Sequence, residues 1–328
     1  MRIAIVTDRS RMDFLPPEEA LQEDAQKHRT VEQVQEVLSK HYDCIALTAD
    51  DEIISKLRAE NIDLVFNLCN GLRGDSKTAQ LPAMLEFAGI AYTGSAVVGH
   101  TLAINKLLSL QAFQTASIPT PKFAAVYSLA DLDNLNLEFP IIVKPNDEGS
   151  SRGIHQDSLI FDWASLRKKV AEELELYRPP ILLNEFIKGR EFTIGVVGNE
   201  DETEVLPIQE LDLSALPEEL SKFYSFEVKT YYKEKTIYHL PAPLTAAEKE
   251  LIEKTAIRAY QALMIRDYGR VDIRLKDGIP YVLEINSLPG LQKGRSSLWR
   301  IAEAKADLGY EGLILRIVSI ALRRYGKL

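Results

Sequence analysis

Residues 269–286 read "GRVDIRLKDGIPYVLEIN". Two β-branched runs flank Lys276-Asp277-Gly278, a strong local signal for a β-hairpin. The question is why polar and charged side chains, Arg270, Asp272, Glu284 and Asn286, collect toward its open end. A strict two-residue turn at Asp277-Gly278 pairs Asp272 with Leu283 and puts Asp272 and Glu284 on opposite faces. A three-residue loop, Lys276-Asp277-Gly278 with Gly278 left-handed, shifts the register by one. Arg270 then lies opposite Glu284, Asp272 lies opposite Val282, and Asn286 shares their face. Val271, Ile273, Leu283 and Ile285 fill the other face. Two carboxylates and an amide oxygen on one face suit a hard divalent ion, and Mg²⁺ held this way keeps waters and bridges to nucleotide phosphates. A solvated polar face is the commoner fate of such a hairpin. Here the alternation fails where "EINSLPG" (284–290) runs into a Pro-Gly turn, which favours a site.

Upstream, "FPIIVKPNDEGSSRGI" (139–154) is an apolar run ending in Lys144 and Pro145. Such a strand delivers an ammonium to the sheet edge, where proline stops the ladder. "EGSSRG" (148–153) then offers small residues whose backbone N–H groups can curl round an anion. It matches neither the Walker P-loop nor the G-x-G-x-x-G dinucleotide fingerprint. Alone, this stretch reads as a solvated turn.

The rest of the chain sets the frame. Its 328 residues suggest two or three domains. A formal net charge of −9 argues against a nucleic-acid partner. The two cysteines, Cys44 and Cys69, sit in apolar runs and read as thiols of a reducing compartment. No apolar run reaches membrane-spanning length, and "MRIAIVTDRS" (1–10) reads as a first strand rather than a signal peptide. The expectation is a soluble, cytoplasmic protein with no nucleic-acid or membrane partner. "RIAIVTD", "YDCIALTAD" and "IDLVFNLC" alternate with helical patterns, one opening at Thr30 and one behind Asp50, which implies a parallel sheet. One long helix is expected over "TLAINKLLSLQAFQTA" (101–116). From Phe123 on, "FAAVYS", "PIIVKP", "PPILLNEFIKG", "EFTIGVVGN" and "TEVLPIQEL" favour antiparallel strands. A helix over 245–264, the hairpin and a C-terminal helix over 311–326 follow.

Together "IIVKPNDEGSSRG" (141–153), "LLNEFIKGREFT" (182–193) and "GRVDIRLKDGIPYVLEINSLPGL" (269–291) resemble the ATP-grasp fold, in the D-alanine–D-alanine ligase-like group. Residues 70–109 resemble the same group's link between its first two domains, so the likeness covers most of the chain. The resemblance implies an α/β and α+β architecture, an ATP-grasp fold behind an N-terminal Rossmann-like parallel-sheet domain. Its domains are expected at 1–96, 97–184 and 185–328. It implies an ATP-dependent carboxylate–amine ligase working through an acyl phosphate, with ATP and Mg²⁺ (or Mn²⁺) as cofactors. Small carboxylate and amine substrates, amino acids or small peptides, are the implied partners. The oligomeric state stays open, a homodimer included. By the same resemblance Lys106 and Lys144 contact phosphates, Ser150 and Ser151 lie in the covering loop, and Lys229 reaches the terminal phosphate. Asn184, Glu185 and Ile187 belong to the adenine hinge, and Glu191 holds the ribose. Asp272, Glu284 and Asn286 are the metal ligands. Arg270 and the Gly290 N–H stabilise an oxyanion. Read singly, Lys106 is a snorkelling helix lysine and Glu191 a solvated strand end.

Departures from the group are concentrated on the amino-acid side. The N-terminal glutamate that holds the first substrate's ammonium has no match in "TDRSRMDFLPPEEA" (7–20), where Asp13, Glu18 or Glu19 are the candidate substitutes. Thr230 replaces a tyrosine after Lys229, Asn184 replaces a glutamate, and "LQKGRSSLWR" (291–300) adds Lys293, Arg295 and Arg300. Altered amino-acid specificity is therefore expected. A true D-alanine–D-alanine ligase, a nucleotide-binding sensor without turnover and a kinase are the alternatives.

Overall fold

The computed structural model describes residues 1–13, 17–149 and 152–328. Strand β1 (Arg2–Asp8), helix α1 (Pro17–Leu38), β2 (Asp43–Ala49), α2 (Ile53–Ala59) and β3 (Leu64–Asn67) alternate as the apolar runs require. They build a parallel sheet in the order β2-β1-β3. The middle strand is covered on both sides, and Ile3, Ala4, Ile5 and Val6 are fully buried. Helix α1 opens well before Thr30. The Thr30 hydroxyl donates back to the Gln26 carbonyl at 2.7 Å inside the helix, so it does not cap it.

Helix α3 (Gln80–Ala88) leads into α4 (Val97–Ile104) and α5 (Lys106–Thr115). The expected single helix is therefore two. Asn105 breaks it with ψ 100°, and its side chain caps α5 by accepting the Leu108 N–H at 3.0 Å. The new first turn finds its acceptors on Asn146, whose carbonyl takes the Lys106 N–H at 3.0 Å and whose side-chain oxygen takes the Leu107 N–H at 2.8 Å. The break thus points Lys106 toward the end of the strand that carries Lys144. Asn105→Ala should lower stability by about 1 kcal/mol, read as a fall in the denaturant midpoint at unchanged slope.

Strands β4 (Phe123–Val126), β5 (Ile141–Pro145) and β6 (Leu159–Ile160), helix α6 (Trp163–Leu176) and β7 (Ile181–Glu185) make a second, antiparallel sheet ordered β4-β7-β5-β6. Ile141, Val143, Ile181 and Leu183 pack against Leu166 and Val170 of α6.

The third sheet takes β8 (Arg190–Val197), β9 (Glu204–Val205), β10 (Gln209–Asp212), β11 (Ile237–His239), β12 (Tyr268–Lys276) and β13 (Ile279–Asn286). Its order is β11-β10-β8-β12-β13, with β9 on the far end of β8, and its pairs are antiparallel. The run 203–211, expected as one strand, divides into β9 and β10 at Pro207, which has no N–H for the ladder. Helix α7 (Phe226–Tyr231) precedes β11, and α8 (Ala246–Ala262) packs Ile252, Ala256 and Tyr260 on the sheet. Helices α9 (Ser297–Glu303) and α10 (Gly309–Arg324) close the chain. Leu313, Ile314, Ile317 and Val318 of α10 are fully buried in one core with Ile3 and Ile5 of the first sheet and Tyr268 of the third. Each such side chain contributes about 1.5–3 kcal/mol by burial, which fastens the first sheet onto the third and fixes the cleft between them. Among the described residues no helix is long and apolar enough to cross a membrane.

Candidate active site

The β12–β13 hairpin differs from its expected register. Lys276 pairs with Ile279, so the turn is the two residues Asp277 and Gly278, both at positive φ (51° and 76°). That is the type I′ geometry favoured by Asp-Gly. A β-bulge between Asp272 and Ile273 then shifts the register, and Arg270 faces Asn286 while Asp272 faces Glu284. The expected three-residue loop is thus replaced by a tight turn plus a bulge. Leu283 becomes the extra residue, leaves the core face and lines the cleft, and Val282 is fully buried instead.

The polar face closes into a cluster. Arg270 Nη2 lies 2.7 Å from Asp272 Oδ2, and its Nε lies 3.1 and 3.2 Å from the two carboxylate oxygens. Thr193 of β8 donates to Asp272 Oδ1 at 3.0 Å. The Asn286 amide bridges Asp272 at 3.4 Å and Glu284 at 3.3 Å. Burial pushes the Asp272 carboxyl up, against the pull of Arg270. Burial also pushes Glu284 up, but Lys106, Lys144 and Arg270 together hold it below the usual carboxylate range. Two carboxylates and an amide are an oxygen donor set for a hard divalent ion, with positions left for water and phosphate. Among the described residues no three His, Cys, Asp or Glu side chains gather into an all-protein cage. The set therefore fits an ion shared with a ligand.

These residues line a cleft of about 530 Å³ to which all three sheets contribute. Lys144 is next to last in β5 and Lys106 opens α5, only 8 % and 6 % exposed. The Lys106 ammonium donates to the Glu148 carbonyl. Lys144 is pushed down to about 8 by burial and by Lys106. Lys229, on α7, is pushed down to about 8 by burial, then by Arg270 and Arg295. Ser150 and Ser151 lie outside the described residues, as does the side chain of Glu19. Gly290 lines the cleft beside the hairpin's end.

The segment 184–191 forms one wall. Asn184 is 2 % exposed, and among the described residues neither atom of its amide has a hydrogen-bond partner. The Glu185 carboxylate turns to the Glu138 N–H at 3.0 Å and to Lys122 at 3.4 Å. Glu191 is held by Arg274 at 2.6 and 3.0 Å, and the same guanidinium donates to the Ile187 carbonyl at 2.9 Å and sits 4.5 Å over the Phe186 ring. Arg274 was not singled out in the sequence. The available signal was its place on the same strand face as Arg270 and Asp272, next but one after Asp272.

The family model for the D-ala D-ala ligase C-terminus matches residues 112–319. A D-alanine–D-alanine ligase of Pseudomonas putida (strain GB-1) is 34 % identical over 291 residues, 86 % of this chain and 84 % of that protein. This chain belongs to the D-alanine–D-alanine ligase family. It is an ATP-dependent ligase that forms a carbon–nitrogen bond, on an ATP-grasp fold. The uncharacterized protein y4sG of Sinorhizobium fredii is 35 % identical over 81 % of this chain and 77 % of its own. The crystal structure of the Bacillus anthracis D-alanine–D-alanine ligase complexed with ATP superposes with a TM-score of 0.78 at 25 % identity, covering 100 % of this chain and 99 % of that one.

In this D-alanine–D-alanine ligase family member the N-terminal wall of the cleft is built from α1 and the loop before it. Asp13 and Glu18, the expected substitutes for the family's glutamate, are exposed. Among the described residues the acid of α1 that lines the cleft is Glu23, one turn further along the helix. It is already engaged by Arg152, by Lys27 at 3.0 Å and by Arg11 at 3.7 Å. Burial pushes Glu23 up, but Arg152 and Lys27 bring it below the usual range. Lys27 also pairs with buried Asp8 at 2.8 Å, and Asp8 in turn accepts the N–H groups of Asn70 and Gly71. The acids of the cluster are thus taken up by its own cations. Its sequence signal was the Glu23–Lys27 spacing on one helix face.

Proposed function

We propose that this ligase joins a carboxylate donor other than simple D-alanine to an amine, through an acyl phosphate. The donor's carboxylate oxygen attacks the γ-phosphorus of ATP and ADP leaves. The amine then attacks the acyl carbon and phosphate leaves, giving the amide. Phosphoryl transfer asks the protein for position and charge neutralisation more than for covalent help. Lys106, Lys144 and Lys229 are assigned to the phosphates, Asn184 and the 185–187 backbone to adenine, and Glu191 to the ribose. Ser150 and Ser151 are assigned to the loop over the phosphates. Arg270 and the Gly290 N–H are assigned to the oxyanion of the tetrahedral intermediate. Asp272, Glu284 and Asn286 would hold Mg²⁺ (or Mn²⁺), which when bound neutralises phosphate charge. In this assignment residues 1–96 shape the donor side, 97–184 cover the nucleotide, and 185–328 supply the metal and oxyanion groups. A cytoplasmic setting fits the use of ATP and the free thiols Cys44 and Cys69.

The observation that carries the specificity is Glu23. A free α-ammonium beside a reacting carboxylate needs an anionic partner, or its desolvation goes uncompensated. Glu23 already faces three cations, and Thr230 lacks the reach of a tyrosine. D-Alanine alone should therefore support ADP release at a kcat/KM at least about thirtyfold below the best pair, equivalent to about 2 kcal/mol. The test is steady-state ADP release over D- and L-amino acids and small peptides, with product masses. Formation of D-alanyl-D-alanine at about 10⁴ M⁻¹s⁻¹ or more would overturn the proposal.

A further inference from the structure

At the Gly290 end of the cleft, positive charge exceeds what the site's acids neutralise. The loop after Gly290 is anchored at both ends. The Lys293 N–H donates to Gln33 of α1 at 2.8 Å, and Ser296 caps α9 by accepting the Trp299 N–H at 3.2 Å. Arg295 projects from this fixed loop into the cleft, and Lys233, just past α7, lines the same wall. Among the described residues neither side chain has a carboxylate partner. Three acids of this part of the molecule are committed elsewhere, and Glu284 faces Lys106, Lys144 and Arg270. Glu227 holds His155 at 2.7 Å, Asp272 holds Arg270, and Glu191 holds Arg274. Arg300 adds to the field, stacked 4.0 Å over Tyr238 and hydrogen-bonded to Gln209 at 2.9 Å. Lys233 is pushed down by burial, then by Arg295 and Arg300, so the cations crowd one another. Such a cluster is costly to assemble unless a ligand's negative charge enters it.

The α1 side of the cleft, by contrast, is closed by its own ion pairs, so the open cations do not belong to the donor's side. They follow the residue assigned to the oxyanion, where the attacking amine must arrive. We infer that the acceptor amine carries a second carboxylate, as an acidic amino acid or a peptide ending in one does, and that Arg295 and Lys233 receive it. This rests on the ligase reading above and names its acceptor class. A planar guanidinium beside a mobile ammonium suits a side-chain carboxylate better than its amide isostere, because the amide presents a donor to donors.

The experiment is equilibrium binding of glutamate against glutamine, and aspartate against asparagine, in both chiralities, to protein saturated with Mg²⁺ and a non-hydrolysable ATP analogue. The acid should bind about tenfold or more tightly than its amide. In Arg295→Glu that preference should vanish or invert, while thermal stabilisation by the ATP analogue persists and reports an intact fold. Amides that bind wild-type protein as well as acids do, or an unchanged ratio in Arg295→Glu, overturn the inference. Efficient coupling of D-alanine as donor to an acidic acceptor overturns the donor reading alone, whereas an unchanged acid-to-amide ratio overturns this inference alone, so the two failures are distinguishable.

Discussion

Glu284→Gln is expected to lower kcat by about 10³-fold, the several kcal/mol that metal-ion charge neutralisation supplies, with the fold intact. Glu284 stands opposite Asp272 across the hairpin and lies in the field of both Lys106 and Lys144. The neutral isostere keeps the shape and removes one of the two negative charges of the donor set. It also strips three cations, Lys106, Lys144 and Arg270, of a shared counter-charge. Binding of ATP without Mg²⁺ should therefore tighten, because the triphosphate now relieves that repulsion, while turnover at saturating ATP fails at every Mg²⁺ concentration. This opposite movement of nucleotide affinity and kcat separates a lost ligand from a damaged fold. Wild-type activity of the variant at limiting Mg²⁺ would refute the ligand assignment.

How much of this site was legible in the sequence varies with the range of the interaction that fixes each part. The first sheet read cleanly because β1 and β3 are buried apolar runs whose pattern is local. The hairpin was visible from Asp-Gly and its flanking runs, and so was the grouping of Arg270, Asp272, Glu284 and Asn286. Its register was not. A three-residue loop and a bulge each shift it by one, in opposite senses, and only packing of Val282 against Val271 and Ile273 in the core decides for the bulge. The break at Asn105 depends on acceptors from Asn146, 39 residues away for the side-chain bond. Arg274 found its role through Glu191, 83 residues distant. Glu23 escapes a pattern that opens the helix at Thr30, because the turn that faces the cleft lies before that residue. The misses are thus tertiary contacts, and the correct readings are periodicities and turn chemistry.

The pH dependence of ATP capture follows from the two depressed lysines. Lys144 and Lys229 each titrate at about 8, Lys144 through burial and Lys106, Lys229 through burial, Arg270 and Arg295. A lysine is cationic below its pKa, so in the free enzyme both lose charge as pH rises through about 8. The triphosphate needs that charge, and kcat/KM for ATP should fall above about pH 8 with a slope steeper than one proton. Bound phosphate raises both pKa values, so kcat at saturating ATP should hold to higher pH. Lys144→Met then isolates one component. KM for ATP should rise by about 10²-fold, the loss of one charge-assisted contact of a buried ammonium, and the alkaline limb should flatten toward one proton. Stability without nucleotide should not fall. A lysine whose pKa is depressed on folding destabilises the folded state at neutral pH, and the cost disappears only above its unfolded pKa, so a methionine there removes a penalty. A Lys144→Met enzyme that keeps wild-type KM for ATP, or a wild-type kcat/KM that stays level through pH 10, would show that these lysines do not meet the nucleotide.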